Sequence, residues 1–193
     1  MTKHQQLYNG VLKAAWAYFF LYFDINIQSV SILPSFIGYI LFLSAINDLS
    51  EEERELKLLY TPGVILAVWQ TADWLAGFAS LKLDGMGLVP ILDILITVIN
   101  LYFHFQLLTN LASIASKYQA YEYELDQRLL HCRTFQTVVL TASVLVDHSL
   151  KWLEAYGSVL LVGMILLYLI AGILLMKALF DLSRQLKTGA GVL

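Results

Sequence analysis

Long apolar runs separated by short polar ones organise this chain. Six stretches stand out, at about 8–23 (YNGVLKAAWAYFFLYF), 34–49 (PSFIGYILFLSAINDL), 62–78 (PGVILAVWQTADWLAGF), 88–116, 129–148 and 156–182. Lipid offers no hydrogen-bond partner to backbone N–H and C=O groups, so runs this apolar predict helices that close their own bonds. The first two cover about 16 residues, short of the roughly 20 that cross a bilayer. They either extend through DINIQSVSI or form a tight pair that does not fully span.

The ends carry helix signals. Pro34 and Pro62 stand where a first helical turn tolerates proline, and Thr61 reads as an N-cap. Ser50 precedes Glu53 by three residues, the spacing of a capping box, so SEEERELKLLY over 50–60 predicts a short interfacial helix. In KYQAYEYELDQRLLHC, Tyr118, Tyr121, Leu125, Leu129 and Cys132 recur at helical spacing, and Glu124 and Arg128 form an i,i+4 pair. This predicts a tyrosine-rich helix over about 118–130, lying at the membrane surface or protruding as the end of a longer helix.

Composition sharpens the class. The chain is 59% hydrophobic and 14% charged, with mean hydropathy +0.68, against about 45–50% and about 25% for soluble domains. The fold predicted is all-α: an integral membrane helical bundle of about six spans forming one transmembrane domain over 1–193. A net charge of −3 without a basic stripe excludes nucleic acid as a partner. Cys132 is the single cysteine, so no internal disulfide forms. Lys3 to Phe23 runs basic then apolar without a small-x-small cleavage site, which reads as a retained first helix.

Six spans with the N-terminus inside put Lys3, Lys13, Arg54, Lys57, Lys117, Arg128, Arg133, Lys177, Arg184 and Lys187 on the inner side and only Lys82 and Lys151 outside. Loops rich in Lys and Arg stay cytoplasmic, so both termini are predicted inside. No internal repeat accompanies this pattern.

Ionisable groups within a span are costly and are functional candidates by default. In VPILDILITVINLYFHFQLLTN, Asp93, Thr97, Asn100 and His104 fall on one stripe at spacings of four, three and four. At ~1.5 Å per residue the stripe covers roughly 16 Å of depth. It would line a ligand or ion path, or hydrogen-bond neighbouring helices at ~0.6 kcal/mol per contact. In WQTADW, Gln70 and Asp73 share a face between Trp69 and Trp74, and Ala72, Ala76 and Ser80 repeat beside them as a close-packing stripe. The outer side also gathers Asp24, Asn26, Gln28, Asp84, Asp147, His148 and Glu154. One reading is an outward-facing polar vestibule suited to a polar or cationic small molecule; the other is solvated loop carboxylates. His104 and His148 lie at different depths, so they do not bracket a haem, and no set of three or four metal ligands shares a register. No catalytic constellation, metal site or cofactor motif is found.

INIQSVSILPSFIGYILFLSAINDLSEEE carries a resemblance. Its Ile-Leu-Pro-x-Phe-Ile-Gly-Tyr-Ile-Leu pattern resembles a family of small bacterial multi-pass membrane proteins in which this hairpin, here about 10–60, is the shared part. The resemblance implies the cytoplasmic membrane of a bacterium and no particular activity. In architecture, six spans with cytoplasmic termini resemble the substrate-binding subunits of energy-coupling-factor transporters, which bind ligand near the outer face. Those carry an Ala-x-x-x-Ala motif on the first span, where LKAAWAYFF has Ala14, Ala15 and Ala17.

The sequence therefore predicts a small-molecule binding or transport subunit. Asp73, Asp93, Thr97, Asn100 and His104 are its candidate lining, with Gln70 and His148 near it and Trp74 and Trp152 as walls. The alternative is a non-catalytic accessory protein that binds partner membrane proteins, with the Tyr118–Tyr123 surface as a dock. A membrane enzyme ranks last.

Overall fold

The computed structural model describes residues 2–23, 26–27, 30–31, 34–79, 89–119, 124–149 and 157–189. Six α-helices account for nearly all of them: α1 Lys3–Tyr22, α2 Ser35–Leu49, α3 Tyr60–Phe78, α4 Val89–Tyr118, α5 Leu125–Ser149 and α6 Gly157–Gly189. Each covers one of the six apolar runs. Among the described residues, two helices are long and apolar enough to cross a membrane, Ile91–Tyr118 and Val162–Lys187.

Between α1 and α2 the helix does not continue. Asn26–Ile27 pairs antiparallel with Val30–Ser31, so these backbone groups close on each other and the helices form a tight hairpin. Pro34 caps α2 from outside the helix, with φ −67° and ψ 129°.

The expected interfacial helix over 50–60 is replaced by a turn and a 3-10 helix, Arg54–Leu59, that runs directly into α3. Ser50 does not open a capping box. It is the C-cap of α2, and its hydroxyl donates to the Asn47 carbonyl at 3.3 Å. Its backbone N–H is taken by Ile46, so the α2 ladder wins over a new start. The same continuity removes Thr61 as a cap: it sits inside α3, whose N-cap is Leu59. The helix expected over 118–130 is likewise a break. α4 ends at Tyr118 and α5 starts at Leu125, with Glu124 at φ 43°. Gln119 clamps the junction, donating to Asp126 Oδ1 at 2.7 Å and accepting from the Asp126 backbone N–H at 3.1 Å. Tyr121 and Tyr123 lie outside the described residues.

α1 is flanked by α2 and α6; α5 lies between α6 and α4; α3 leans on α2 and touches α4. Small residues set these distances. A Cβ on Gly38 would stand 2.9 Å from the Ala17 carbonyl oxygen, and one on Gly172 would stand 2.4 Å from Tyr22 Cγ. Gly38 thus lets the α2 backbone approach that of α1, and Gly172 makes room on α6 for the Tyr22 ring.

Burial is one-sided. Leu7, Val11, Leu49, Leu56, Leu59, Leu111, Ile114, Leu125, Leu129, Leu182 and Leu186 are buried at the end holding the start of α1, the 3-10 helix and the ends of α4 and α6. We term this the closed end. Toward the opposite, open end the apolar side chains of α4 and α6 face outward, as at Ile91 (65% exposed) and Val159 (72%).

Candidate functional site

The predicted stripe on α4 splits in two. Its lower half is enclosed. His104 is only 4% exposed, held edge-on by Phe42 and Phe103 at ring distances of 5.7 and 5.3 Å. Its Nδ1 lies 3.1 Å from the Tyr18 hydroxyl, and its Nε2 lies 3.5 Å from the Tyr39 hydroxyl. Tyr39 donates to Asn100 Oδ1 at 2.8 Å. A phenol has one proton, so Tyr39 can only accept from His104. With one N–H on the imidazole, that proton belongs on Nε2, and Nδ1 accepts from Tyr18. The chain then has one direction: Tyr18 O–H to His104 Nδ1, Nε2–H to Tyr39, Tyr39 O–H to Asn100. It ties α1, α2 and α4 together at one level. Next to it, Tyr22 stacks against Tyr168 of α6 at 4.5 Å, its hydroxyl buried without a partner among the described residues.

The upper half of the stripe faces out. Thr97 is exposed and returns its hydroxyl to the Asp93 carbonyl at 2.7 Å, a bond within the helix. Asp93 is exposed, as is Asp73 on α3. No hydrogen bond or ion pair joins these two carboxylates among the described residues. Asp73 is five residues before the end of α3 and Asp93 four after the start of α4, roughly 6–8 Å from each helix end. Gln70 and Trp74 are half-buried on α3, and Trp74 meets Phe36 of α2 edge-on at 5.6 Å. His148 falls on α5 with its side chain outside those described, and Trp152 lies outside the described residues.

The two halves meet at a groove. A cavity of about 200 Å³ between α4 and α5 is lined by Thr97, Val98, Asn100, Leu101, Leu140, Thr141, Val144 and Leu145. Asn100 is its one amide. The Asn100 carbonyl is committed to Tyr39, which leaves the amide's two N–H donors without a partner among the described residues. Asp73 and Asp93 do not line it.

Three polar positions escaped the sequence reading. Arg133 on α5 reaches back to α4, donating to Thr109 Oγ1 at 2.9 Å with its guanidinium 4.3 Å from the Phe105 centroid. Buried Gln136 and Asn110 each keep one polar atom without a partner among the described residues. Their signal was present as polar residues within apolar runs. The lysine and arginine count treated Arg133 only as a topology marker.

The closed end is laced by charge. Glu52 holds Lys3 at 2.7 Å and Lys117 at 3.4 Å and accepts from Tyr118 at 3.0 Å. Glu53 holds Lys117 at 3.2 Å and accepts from Ser113 at 2.9 Å. The Lys3 ammonium holds the Glu52 carboxyl below the usual carboxylate range, and Glu52 in turn raises Lys3. Lys13 pairs with Asp48. The SEEE segment is thus a clasp between α1 and α4.

Among the described residues no three His, Cys, Asp or Glu side chains cluster closely enough to hold a metal ion. Compared with protein-family models, curated proteins and solved structures, the chain matches none.

Proposed function

We propose that this chain is a multi-pass membrane protein, with both termini on the cytoplasmic side, that binds a small, largely apolar molecule in the groove between α4 and α5. The membrane reading draws on the outward apolar surface of α4 and α6, where Ile91, Ile94, Leu95, Val98, Val162, Ile165, Leu166 and Ile170 are all exposed. Soluble proteins rarely leave apolar patches beyond a few hundred Å² uncovered. Lipid covers such a surface without cost.

The observation that carries the binding reading is Asn100. It is the one side chain that both ends the buried hydrogen-bond chain and lines the groove. Tyr39 orients the amide, so the groove presents a fixed pair of donors on an otherwise apolar wall. Such a site suits a molecule with an apolar body and one acceptor. The volume of about 200 Å³ lies below the ~300–1,000 Å³ of ordinary ligand pockets. A chain or a ring fits; a large polar solute does not. Access is sideways from the bilayer. The acids at Asp73 and Asp93 belong to the outer helix ends, where their carboxylates reach the interface.

The test is native mass spectrometry of the full chain released from detergent. The wild type is expected to retain a small-molecule adduct. Val98→Trp and Thr141→Trp, which fill the groove from exposed positions, are expected to lose it. An adduct of equal occupancy in both variants, or none in the wild type, overturns the reading.

An accessory role draws on a separate observation. His104 is enclosed on all sides, so the lower stripe works as a fastening between helices. This reading expects a second membrane protein to co-purify in fixed stoichiometry; an isolated, stable monomer contradicts it.

A further inference from the structure

A second groove opens between α5 and α6 at the closed end. It has a volume of about 260 Å³ and is lined by Arg128, His131 and Cys132 of α5 and by Leu174, Lys177, Ala178 and Asp181 of α6. Its charge is uneven. Asp181 is the single carboxylate and already meets Arg184 at 3.6 Å. Arg128 and Lys177 are exposed, and among the described residues neither has a carboxylate within ion-pair distance. Of the other cations of this end, Lys3 and Lys117 are held by Glu52 and Glu53, Lys13 by Asp48 and Arg133 by Thr109 and the Phe105 ring, while Arg54, Lys57 and Lys187 are exposed outside the groove lining. Two unneutralised cations and an imidazole thus face one cavity.

The rest of the cavity is apolar. Leu174 and Ala178 form its α6 wall, and the outward face of α6 continues toward the open end through Ile173, Ile170, Leu167 and Leu166, all exposed. A cationic head over a long apolar stripe is complementary to an anionic amphiphile. A free phosphate would use the cations and leave the stripe uncovered.

We propose that this groove binds the phosphate headgroup of an anionic lipid of the cytoplasmic leaflet, with Arg128 and Lys177 on the phosphate and the acyl chains along Leu174, Ile170 and Leu167. The inference rests on the membrane reading above, which puts the closed end at the cytoplasmic surface. Basic pockets between helices on that side attract anionic headgroups.

The experiment uses the full chain in a neutral detergent, titrated with phosphatidylglycerol or phosphatidylcholine and read by native mass spectrometry. The wild type is expected to retain phosphatidylglycerol in preference. Arg128→Gln and Lys177→Gln should each weaken retention about fivefold. Lys187→Gln, exposed on the same helix outside the groove, should not. Millimolar glycerol phosphate should fail to compete. Equal retention of the two lipids overturns the proposal, as does an equal loss in Lys187→Gln. Full competition by glycerol phosphate assigns the site to a soluble phosphate and overturns the lipid. Retention of the chain in alkali-washed membranes is read separately. A chain that stays in the membrane without headgroup preference overturns this inference alone; one washed free overturns both readings.

Discussion

Asn100 acts on two environments, and its energetics depend on Tyr39. Removing the phenol leaves Asn100 Oδ1 without its donor at 2.8 Å and frees the amide to turn. Removing Asn100 leaves the Tyr39 proton without its acceptor. The two losses are one bond, so they do not add. Tyr39→Phe and Asn100→Leu should each destabilise the protein, and the double variant should cost less than their sum by about 0.6 kcal/mol, the scale of hydrogen bonds between membrane helices. Unfolding in detergent, run as a double-mutant cycle, measures this directly; strict additivity would refute the bond. At this scale the sequence was half legible. The spacing of Asp93, Thr97, Asn100 and His104 exposed the stripe. Its partners stayed hidden because Tyr18 and Tyr39 sit within apolar runs and count there as bulk. Only packing shows that both hydroxyls turn toward His104.

Helices were legible where apolar length decided them and illegible where short signals competed. All six runs became helices, in which the backbone closes its hydrogen bonds within the segment. At 50–60 and 118–130 the capping and periodic signals were real residues in the wrong service: Ser50 closes α2, and Gln119 with Asp126 fastens a break. Close packing was legible in part. The small-residue stripe at Ala72 and Ala76 drew notice, yet Ala72 is exposed. Tight contacts fall instead at glycines, of which Gly38 meets a backbone oxygen and Gly172 the base of an aromatic ring. Both glycines are predicted to be irreplaceable, for a steric reason. Gly38→Ala drives a Cβ toward a backbone oxygen at 2.9 Å, and Gly172→Ala drives one toward Tyr22 Cγ at 2.4 Å. Neither obstacle is the free end of a side chain, so the helices must part, at a cost of about 1–3 kcal/mol. Gly163 has nothing within 4 Å, so Gly163→Ala should be neutral or gain up to ~1 kcal/mol from helix propensity. Melting temperatures in detergent should fall for the first two by roughly 2–4 °C per kcal/mol and hold or rise for the third. A loss in Gly163→Ala equal to that in Gly38→Ala would mean that packing is not the cause.

Among the described residues, charged groups gather at one end of the molecule and apolar side chains are exposed along the flanks of α4 and α6. The clasp of Lys3, Glu52, Glu53 and Lys117 and the cations of the α5–α6 groove gather at the closed end. Ten of the 12 Lys and Arg residues fall in the segments predicted to be cytoplasmic, and Lys82 and Lys151 lie outside the described residues. Exposed ion pairs of this kind add little stability, about 0–1 kcal/mol each. On the membrane reading proposed above, the lysines and arginines would act on direction, since positively charged segments resist translocation. The single cysteine makes this testable without rebuilding the protein. Cys132 is half-buried in the closed-end groove, so in intact cells a membrane-permeant maleimide should label it and an impermeant one should not. In a Cys132→Ser background, Lys151→Cys should show the opposite pattern. Impermeant labelling of Cys132 together with protection of Lys151→Cys would invert the protein, moving the phosphate-binding groove to the outer leaflet. Equal impermeant labelling of both would take the chain out of the membrane, and the apolar flanks of α4 and α6 would then need a protein to cover them.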